Sequence, residues 1–451
     1  MGLSVVIIGA GLAGLTAALI LQEQGVDVQV YEAKERVGGR VLTAKIDDQL
    51  VEFGGQNISD GGEAKTMRYL IDQLGLKVER QQIERLGAFF DGKELHNEED
   101  LTADLRKNLK GLKTRLEELG QSCSNMKQVC DVLIKDNPLL YKHLEGRLRA
   151  YEGGALEELS PRYVSTLYHM IEGGLAPAHE TIREDRDFIA IDMVKGGNSC
   201  LPESMARELG DRLHLESPLK KVTKKRDGKL VLSFAGGETI SADKVILTIP
   251  CSTYEKVSFD EAVLPAQQLN QIKQVPYSKG GKILLTMPIN KNSSPYLYAV
   301  DQMGVCFRLS GSKVVTLYLP TPFSALSLSS IYEKEKGMLE AMYGPLRKDQ
   351  SSPLYSLDVP FASYIGPMGY SWANDPYARG SYSHLKAGQE EVFGKLIDCG
   401  KYKVKALFAP IDQRLYFAGE HTCIDPVIAG TMEAACESGM RIAKIILDEK
   451  R

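Results

Sequence analysis

Three glycines, Gly9, Gly11 and Gly14, form a G-x-G-x-x-G pattern between the apolar run VVIIG from Val5 and an alanine- and leucine-rich stretch, and nothing else in the chain restricts the fold as tightly. The run Leu3 to Glu32 reads as strand, glycine turn, helix, a break at Gly25 and a second strand. That is a β-α-β unit. In such a unit the first glycine permits the tight turn, the second lets backbone approach a pyrophosphate, and the third packs helix on strand. Ala13 lies inside the turn, and the helix amino terminus faces the phosphates. Glu32 closes the second strand, where its carboxylate can accept hydrogen bonds from ribose hydroxyls. A G-x-G-x-x-G alone is often only a tight turn. The strand, helix and terminal acid together predict a dinucleotide site, with NAD or FAD still open.

A 451-residue chain exceeds one ordinary core, so about two domains are expected. Its 55 basic and 59 acidic residues do not gather into a long basic run, which argues against nucleic acid as a partner. The eight cysteines (123, 130, 200, 251, 306, 399, 423, 436) contain no C-x-x-C pair, so neither a zinc site nor a secreted disulfide framework is predicted. The seven histidines show no metal spacing, His421 included, and no metal is expected. Val5 begins so close to the start that the apolar run reads as a strand and not a leader. No apolar stretch approaches the ~20 residues of a membrane span. These features predict a soluble cytoplasmic protein.

The next stretch decides the cofactor. AKERVGGRV places Arg36, Gly38, Gly39 and Arg40 just after the ribose acid, supplying flexible backbone and two cations for a phosphate. Glu32-Ala33 followed by RVGGR, then EFGGQNI at 52–58, resembles the flavin-containing amine oxidases. The resemblance spans nearly the whole chain, most closely at 5–58, 195–250, 279–287 and 369–447. It implies FAD, held by Gly9, Gly11, Ala13, Gly14, Glu32, Arg36, Gly39, Arg40 and the turn Gly54, Gly55, Gln56 and Asn57. It also implies an α/β fold with a Rossmann-like FAD-binding domain that is discontinuous (1–76, 195–272 and 375–451), interrupted by an α+β substrate-binding domain (77–194 and 273–374). Val222 matches the position whose strand backbone holds the adenine in this family.

The carboxy-terminal half adds three implied elements. LYFAGEHT at 415–422 resembles the family turn that brings Gly419 and Glu420 to the ribityl-pyrophosphate. The helix after Gly430 is expected to aim the N–H of Met432 at the flavin pyrimidine, stabilising negative charge on reduced flavin. GYSWANDPYARGSYSHL at 369–385 resembles the segment in front of the flavin and contains Trp372. Ser381 stands where monoamine oxidases carry the cysteine that bonds to flavin, so the resemblance implies non-covalent FAD. Tyr382 matches one of their two facing tyrosines, and Thr431 takes the other place, as in the polyamine oxidase and histone demethylase branches. Lys282, in SKGGKILLTM, fits the lysine that holds a water near flavin N5. A strand lysine pointing to solvent is the ordinary reading, and Lys279 is its rival by register.

Lys282, Tyr382 and Thr431 are therefore the catalytic candidates for hydride transfer from an amine to flavin, with O2 as acceptor, H2O2 as product and a homodimer as a possible assembly. Two alternatives stand beside this reading. One is a carotenoid-desaturase or protoporphyrinogen-oxidase relative that oxidises carbon–carbon bonds, and the other is a FAD-holding scaffold without turnover.

Overall fold

The first apolar run forms the central strand of a five-stranded parallel sheet. The order is Leu415–Phe417, Lys244–Leu247, Ser4–Ile8, Asp27–Tyr31 and Leu213–His214, so three widely separated stretches of sequence meet in one sheet. A computed structural model describes residues 2–46, 49–84, 87–173, 188–286, 298–300, 304–308, 314–320, 337–339, 364–365, 369–426 and 428–449. The helix Leu12–Glu23 is buried along most of its length, because the sheet covers one side and the helix Met432–Glu449 covers another. An all-round apolar helix is what such a double-sided position requires. Gly439 makes the approach possible, since a β-carbon there would collide with the carbonyl of Ala13.

A four-stranded sheet (Thr239–Ala242, Leu230–Phe234, Leu219–Lys224, Ser258–Phe259) packs its apolar residues against the other face of the parallel sheet. A separate eight-stranded sheet runs in the order Tyr364–Ile365, Gly369–Ser371, Gly281–Thr286, Val314–Leu319, Val305–Arg308, Tyr298–Val300, Gly87–Phe90 and Leu95–Asn97. All its pairings are antiparallel except that of Tyr298–Val300 with Gly87–Phe90.

Residues 98–152, rich in Glu, Lys, Arg and Leu, form a helical block. Glu98–Arg106, Leu109–Ser122, Met126–Ile134 and Pro138–Glu152 each begin at an asparagine (97, 108, 125 and 137) whose side chain accepts from a backbone N–H of the first turn. Asparagine suits this place because its short amide satisfies one of the donors a helix start leaves open. Leucines at helical spacing, Leu112, Leu116, Leu140, Leu144 and Leu148 among them, form the block's own core with Val164–Gly173. Buried Arg147 is ion-paired to Glu98 and donates to the carbonyl of Met170 (3.1 Å), while His143 meets Glu98 at 3.2 Å. This polar knot fixes Pro138–Glu152 against its neighbours. Residues 320–331, whose Ser, Leu and Pro content reads as a loop entering a helix, fall almost wholly outside the described residues.

Candidate active site

Where the parallel sheet, the eight-stranded sheet and the helical block meet, they enclose a cavity of about 680 Å³. Its first end is built from backbone. Gly9 has a φ of +107°, and a β-carbon on Gly14 would strike the carbonyl oxygen of Gly9, so neither position tolerates a side chain. The helix Leu12–Glu23 starts at Gly11 with no side-chain cap and no acid in its first turn, leaving its amino end to an anion. The Arg36–Arg40 loop lies against it, with Gly38 N donating to Ala10 O (2.9 Å). Glu32 accepts from Ala10 N (2.7 Å) and Lys34 N (2.9 Å) and lines the cavity. Burial pushes its carboxyl pKa up, against the lowering pull of those two N–H groups.

Arg40 and Arg36 part company. The Arg40 guanidinium reaches the cavity and is held by Glu420 Oε1 (2.8 Å) and Ser381 O (2.9 Å). Arg36 instead turns back on its own loop, donating to the carbonyls of Val37 (3.0 Å), Gly39 (2.9 Å) and Val41 (3.3 Å). Glu420 also accepts from Ser383 N (3.1 Å) and Ser383 Oγ (2.6 Å), and Gly419 N donates to Ser438 Oγ (2.9 Å). Both line the cavity, but their polar groups serve mainly to brace Arg40 and the turn.

Val222 departs from expectation. Its side chain is fully buried in the core below the sheet, its carbonyl accepts from Asp260 N (3.1 Å), and it does not line the cavity. Ser217, Pro218, Leu219 and Lys220 do. The strand reaches the cavity three residues before the predicted position.

The turn 53–57 forms the middle of the cavity. Lys282 lies in the strand Gly281–Thr286, in register with Tyr318 on one side and Tyr370 on the other. It is 7% exposed, and its ammonium donates to Glu52 O (3.0 Å), Gly54 O (2.8 Å) and Gln56 Oε1 (3.0 Å). An ammonium has three N–H groups, and these acceptors use all of them. Burial lowers the Lys282 pKa to about 8, while the nearby Glu52 and Asp60 carboxylates oppose that shift. Burial likewise raises Glu52 to about 7 and Asp60 to about 6. Lys279 is exposed and reaches only Arg379 O at 3.4 Å, which separates the two register alternatives.

Behind this turn stands Asn198, a residue the sequence reading passed over. Its amide donates to Gly55 O (3.0 Å) and Gln56 O (2.8 Å) and accepts from Val194 N (2.9 Å), and its own N–H reaches Glu52 Oε1 (2.8 Å). Asn57 accepts from Ser59 N (3.0 Å) and Asp192 N (3.1 Å) and donates to Asp60 Oδ1 (2.9 Å). A β-carbon on Gly55 would meet the Met432 side chain at 2.7 Å. Met432, the first residue of its helix, thereby sits against this turn.

Side chains dominate the other end. Tyr382 donates to Ala150 O (2.9 Å) and accepts from Tyr318 OH (3.1 Å). Burial holds its phenol well above the usual range. A β-carbon on Gly430 would lie 3.5 Å from the Tyr382 ring, so Gly430 sits close beside it. Thr431 Oγ1 accepts from Ala434 N (3.2 Å) and donates to Ile428 O (2.6 Å), making it the cap of the helix Met432–Glu449 as well as a cavity residue. Trp372 is 4% exposed, with its indole N–H on Phe53 O (3.1 Å). Ser381 lines the cavity beside Tyr382.

Among the described residues, Asp91, Glu94 and His96 could converge on a metal ion, but they sit on an outer turn where Asp91 already accepts from the N–H groups of Lys93 and Glu94. Among the described residues no helix is long and apolar enough to cross a membrane.

Comparisons with known proteins bear on this geometry. The sequence pattern of the family described as flavin containing amine oxidoreductase matches residues 12–447. Lysine-specific histone demethylase 1 homolog 2 of Oryza sativa subsp. japonica is 26% identical over 98% of this chain, which spans 57% of that protein. A probable flavin-containing monoamine oxidase A of Dictyostelium discoideum is 25% identical over 99% of this chain and 97% of its own length. Among solved structures, a putrescine oxidase double mutant superposes with a TM-score of 0.75 at 19% identity, covering 99% of both chains. Cyclohexylamine oxidase from Brevibacterium oxydans IH-35A superposes with a TM-score of 0.74 at 19% identity, covering 100% of both. These two likenesses bear on the fold alone.

Proposed function

Because the chain belongs to the flavin-containing amine oxidoreductases, we propose that it oxidises the C–N bond of an amine to an imine and delivers the electrons to O2. The observation that carries this reading is one continuous cavity. It runs from the Gly9–Gly14 turn and Glu32, past Arg40 and the Lys282-held turn, to Tyr382 and Thr431. When bound, FAD supplies the two-electron chemistry, accepting hydride at N5 and yielding H2O2 from O2.

The residues present fit that cofactor. The uncapped helix start and the bare glycine turn suit a pyrophosphate. Arg40, held by Glu420, supplies a fixed positive charge beside it. Glu32 is positioned for a ribose hydroxyl, and Leu219–Lys220, rather than Val222, form the wall on the adenine side. Met432 N at the start of an 18-residue helix offers a positive dipole end to the flavin pyrimidine. Ser381 carries no thiol, so FAD is held without a covalent bond.

The chain's contribution to the reaction is positional. Lys282 holds the turn that carries Gly54, Gly55 and Gln56 and keeps a proton and a positive charge at Nζ. Tyr382, fixed at both its hydroxyl bonds, presents one rigid ring to the amine. We assign 1–76, 195–272 and 375–451 to the cofactor-binding domain and 77–194 and 273–374 to the substrate domain. All eight cysteines are free, which suits a reducing, cytoplasmic location.

Peroxide release, scored across mono-, di- and polyamines and amino acids, tests the proposal. We expect release with at least one amine. Silence across the panel, with turnover of a polyene or porphyrinogen instead, would replace amine oxidation by carbon–carbon oxidation.

A further inference from the structure

The walls around Tyr382 contain two helix ends of opposite sign. Met432–Glu449 brings its amino end, with Thr431 as cap. Pro138–Glu152 brings its carboxyl end, and its last three residues, Ala150, Tyr151 and Glu152, all line the cavity. The helix then stops at Gly153, in the left-handed region at φ +76°, packed so tightly that a β-carbon there would collide with Ser278. That contact, with the Arg147–Glu98 knot one turn earlier, fixes where the helix end points. Its carbonyl dipoles face the site directly, since Ala150 O is the acceptor for the Tyr382 hydroxyl.

A helix carboxyl end carries about half a negative charge and stabilises cations near its last turn. Glu152 adds a carboxyl group to the same spot. The Thr166 hydroxyl hydrogen-bonds to it, and Tyr163 and Tyr382 lie within its field. Burial lifts its pKa to about 7, and the Thr166 bond is what opposes that rise. No cationic side chain is among the groups that act on Glu152, although Lys34, Arg40, Lys220, Lys256 and Lys282 all line the cavity. Arg40 is paired with Glu420, Lys34 with Asp375, and Lys282 holds the 52–56 turn. A half-buried carboxylate beside a helix carboxyl end is disfavoured unless a cation meets it.

We propose that Glu152 and the carboxyl end of the helix Pro138–Glu152 form a cation subsite of the substrate cavity, so that the preferred substrate is an amine carrying a second positive group. One nitrogen is held as an ammonium at Glu152 while the other, uncharged, presents its neighbouring carbon for oxidation. This rests on the amine-oxidation reading above and narrows it to a substrate class.

The test compares α,ω-diaminoalkanes with n-alkylamines of equal carbon number on the FAD-loaded enzyme, for wild type and Glu152→Gln. Glutamine keeps the size and an acceptor for Thr166 but removes the charge. In wild type the diamine should have the lower KM. In Glu152→Gln its KM should rise about 10- to 100-fold, the range expected for a lost charge-assisted hydrogen bond, with kcat and the monoamine KM little changed. Glu152→Asp should retain part of the preference.

A second arm needs no turnover. Binding of a bis(trimethylammonio)alkane, followed by its perturbation of the flavin spectrum, should be weaker in Glu152→Gln than in wild type. Normal oxidation with no diamine preference in wild type, or equal loss for both amine classes in Glu152→Gln, overturns the subsite. Tight bis-cation binding without oxidation of any amine keeps the subsite and overturns amine oxidation instead. Should Glu152→Gln fail to fold, the wild-type preference and the Glu152→Asp binding constant still decide.

Discussion

The two ends of the cavity are built on different principles. At the nucleotide end the walls are main chain, and the important residues are glycines whose missing side chains make room, such as Gly14 against Gly9 and Gly55 against Met432. At the amine end the walls are side chains delivered by distant segments: Glu152 from a helix end, Tyr318 from a strand interior, and Tyr382 and Thr431 from loops before and after the strand Leu415–Phe417. A backbone site has little freedom to vary. A side-chain site can be respecified one residue at a time, as expected where a fold is shared and substrates differ.

The largest effect should follow from disturbing the backbone end. Gly14→Ala drives a β-carbon into the Gly9 carbonyl, and neither the helix nor the strand it follows can give way cheaply. Purified protein should lose nearly all its FAD, read from the ratio of flavin to protein absorbance. Full FAD content would show that this contact is not what shapes the nucleotide end.

Lys282→Met sits between the two ends and should sharpen the contrast. FAD should remain bound while one half-reaction, flavin reduction by amine or reoxidation by O2, slows by ~10²–10³-fold, the usual cost of losing a positioned charge or donor. Stopped-flow measurement of each half separates them. Lys279→Met should leave both rates within about twofold, because Lys279 is exposed and an exposed side chain away from special contacts contributes little. Normal rates in Lys282→Met would reduce its role to holding the turn.

The same contrast explains what could be read from the sequence. Gly9, Gly11, Gly14, Glu32, Arg40 and the 53–57 turn form contiguous patterns, and contiguous backbone motifs leave a local signature. The β-α-β unit at Leu3 to Glu32 followed from strand, turn and helix patterning in the same way. Val222 does not line the cavity and Leu219 does, because a strand in K-K-V-T-K-K alternation does not mark which of its residues reaches a cavity wall. Arg36 turns back on its own loop, a course that a cation two residues from a glycine pair can take as easily as reaching into the cavity. Asn198 follows Gly196 and Gly197 in the sequence, which gives no sign that its amide reaches across to Gly55 and Gln56. Glu152 and Tyr318 were invisible for a deeper reason: a Glu at a helix end and a Tyr within a β-rich run are ordinary residues until the fold brings them to one cavity.

Anaerobic mixing of FAD-loaded protein with amines tests the central claim most directly, because it reads electron transfer into the flavin without depending on the acceptor. A diamine should bleach the oxidised flavin band, and admitting air should restore it with release of peroxide. A band that no amine or amino acid bleaches, in protein shown to hold FAD, would contradict the account.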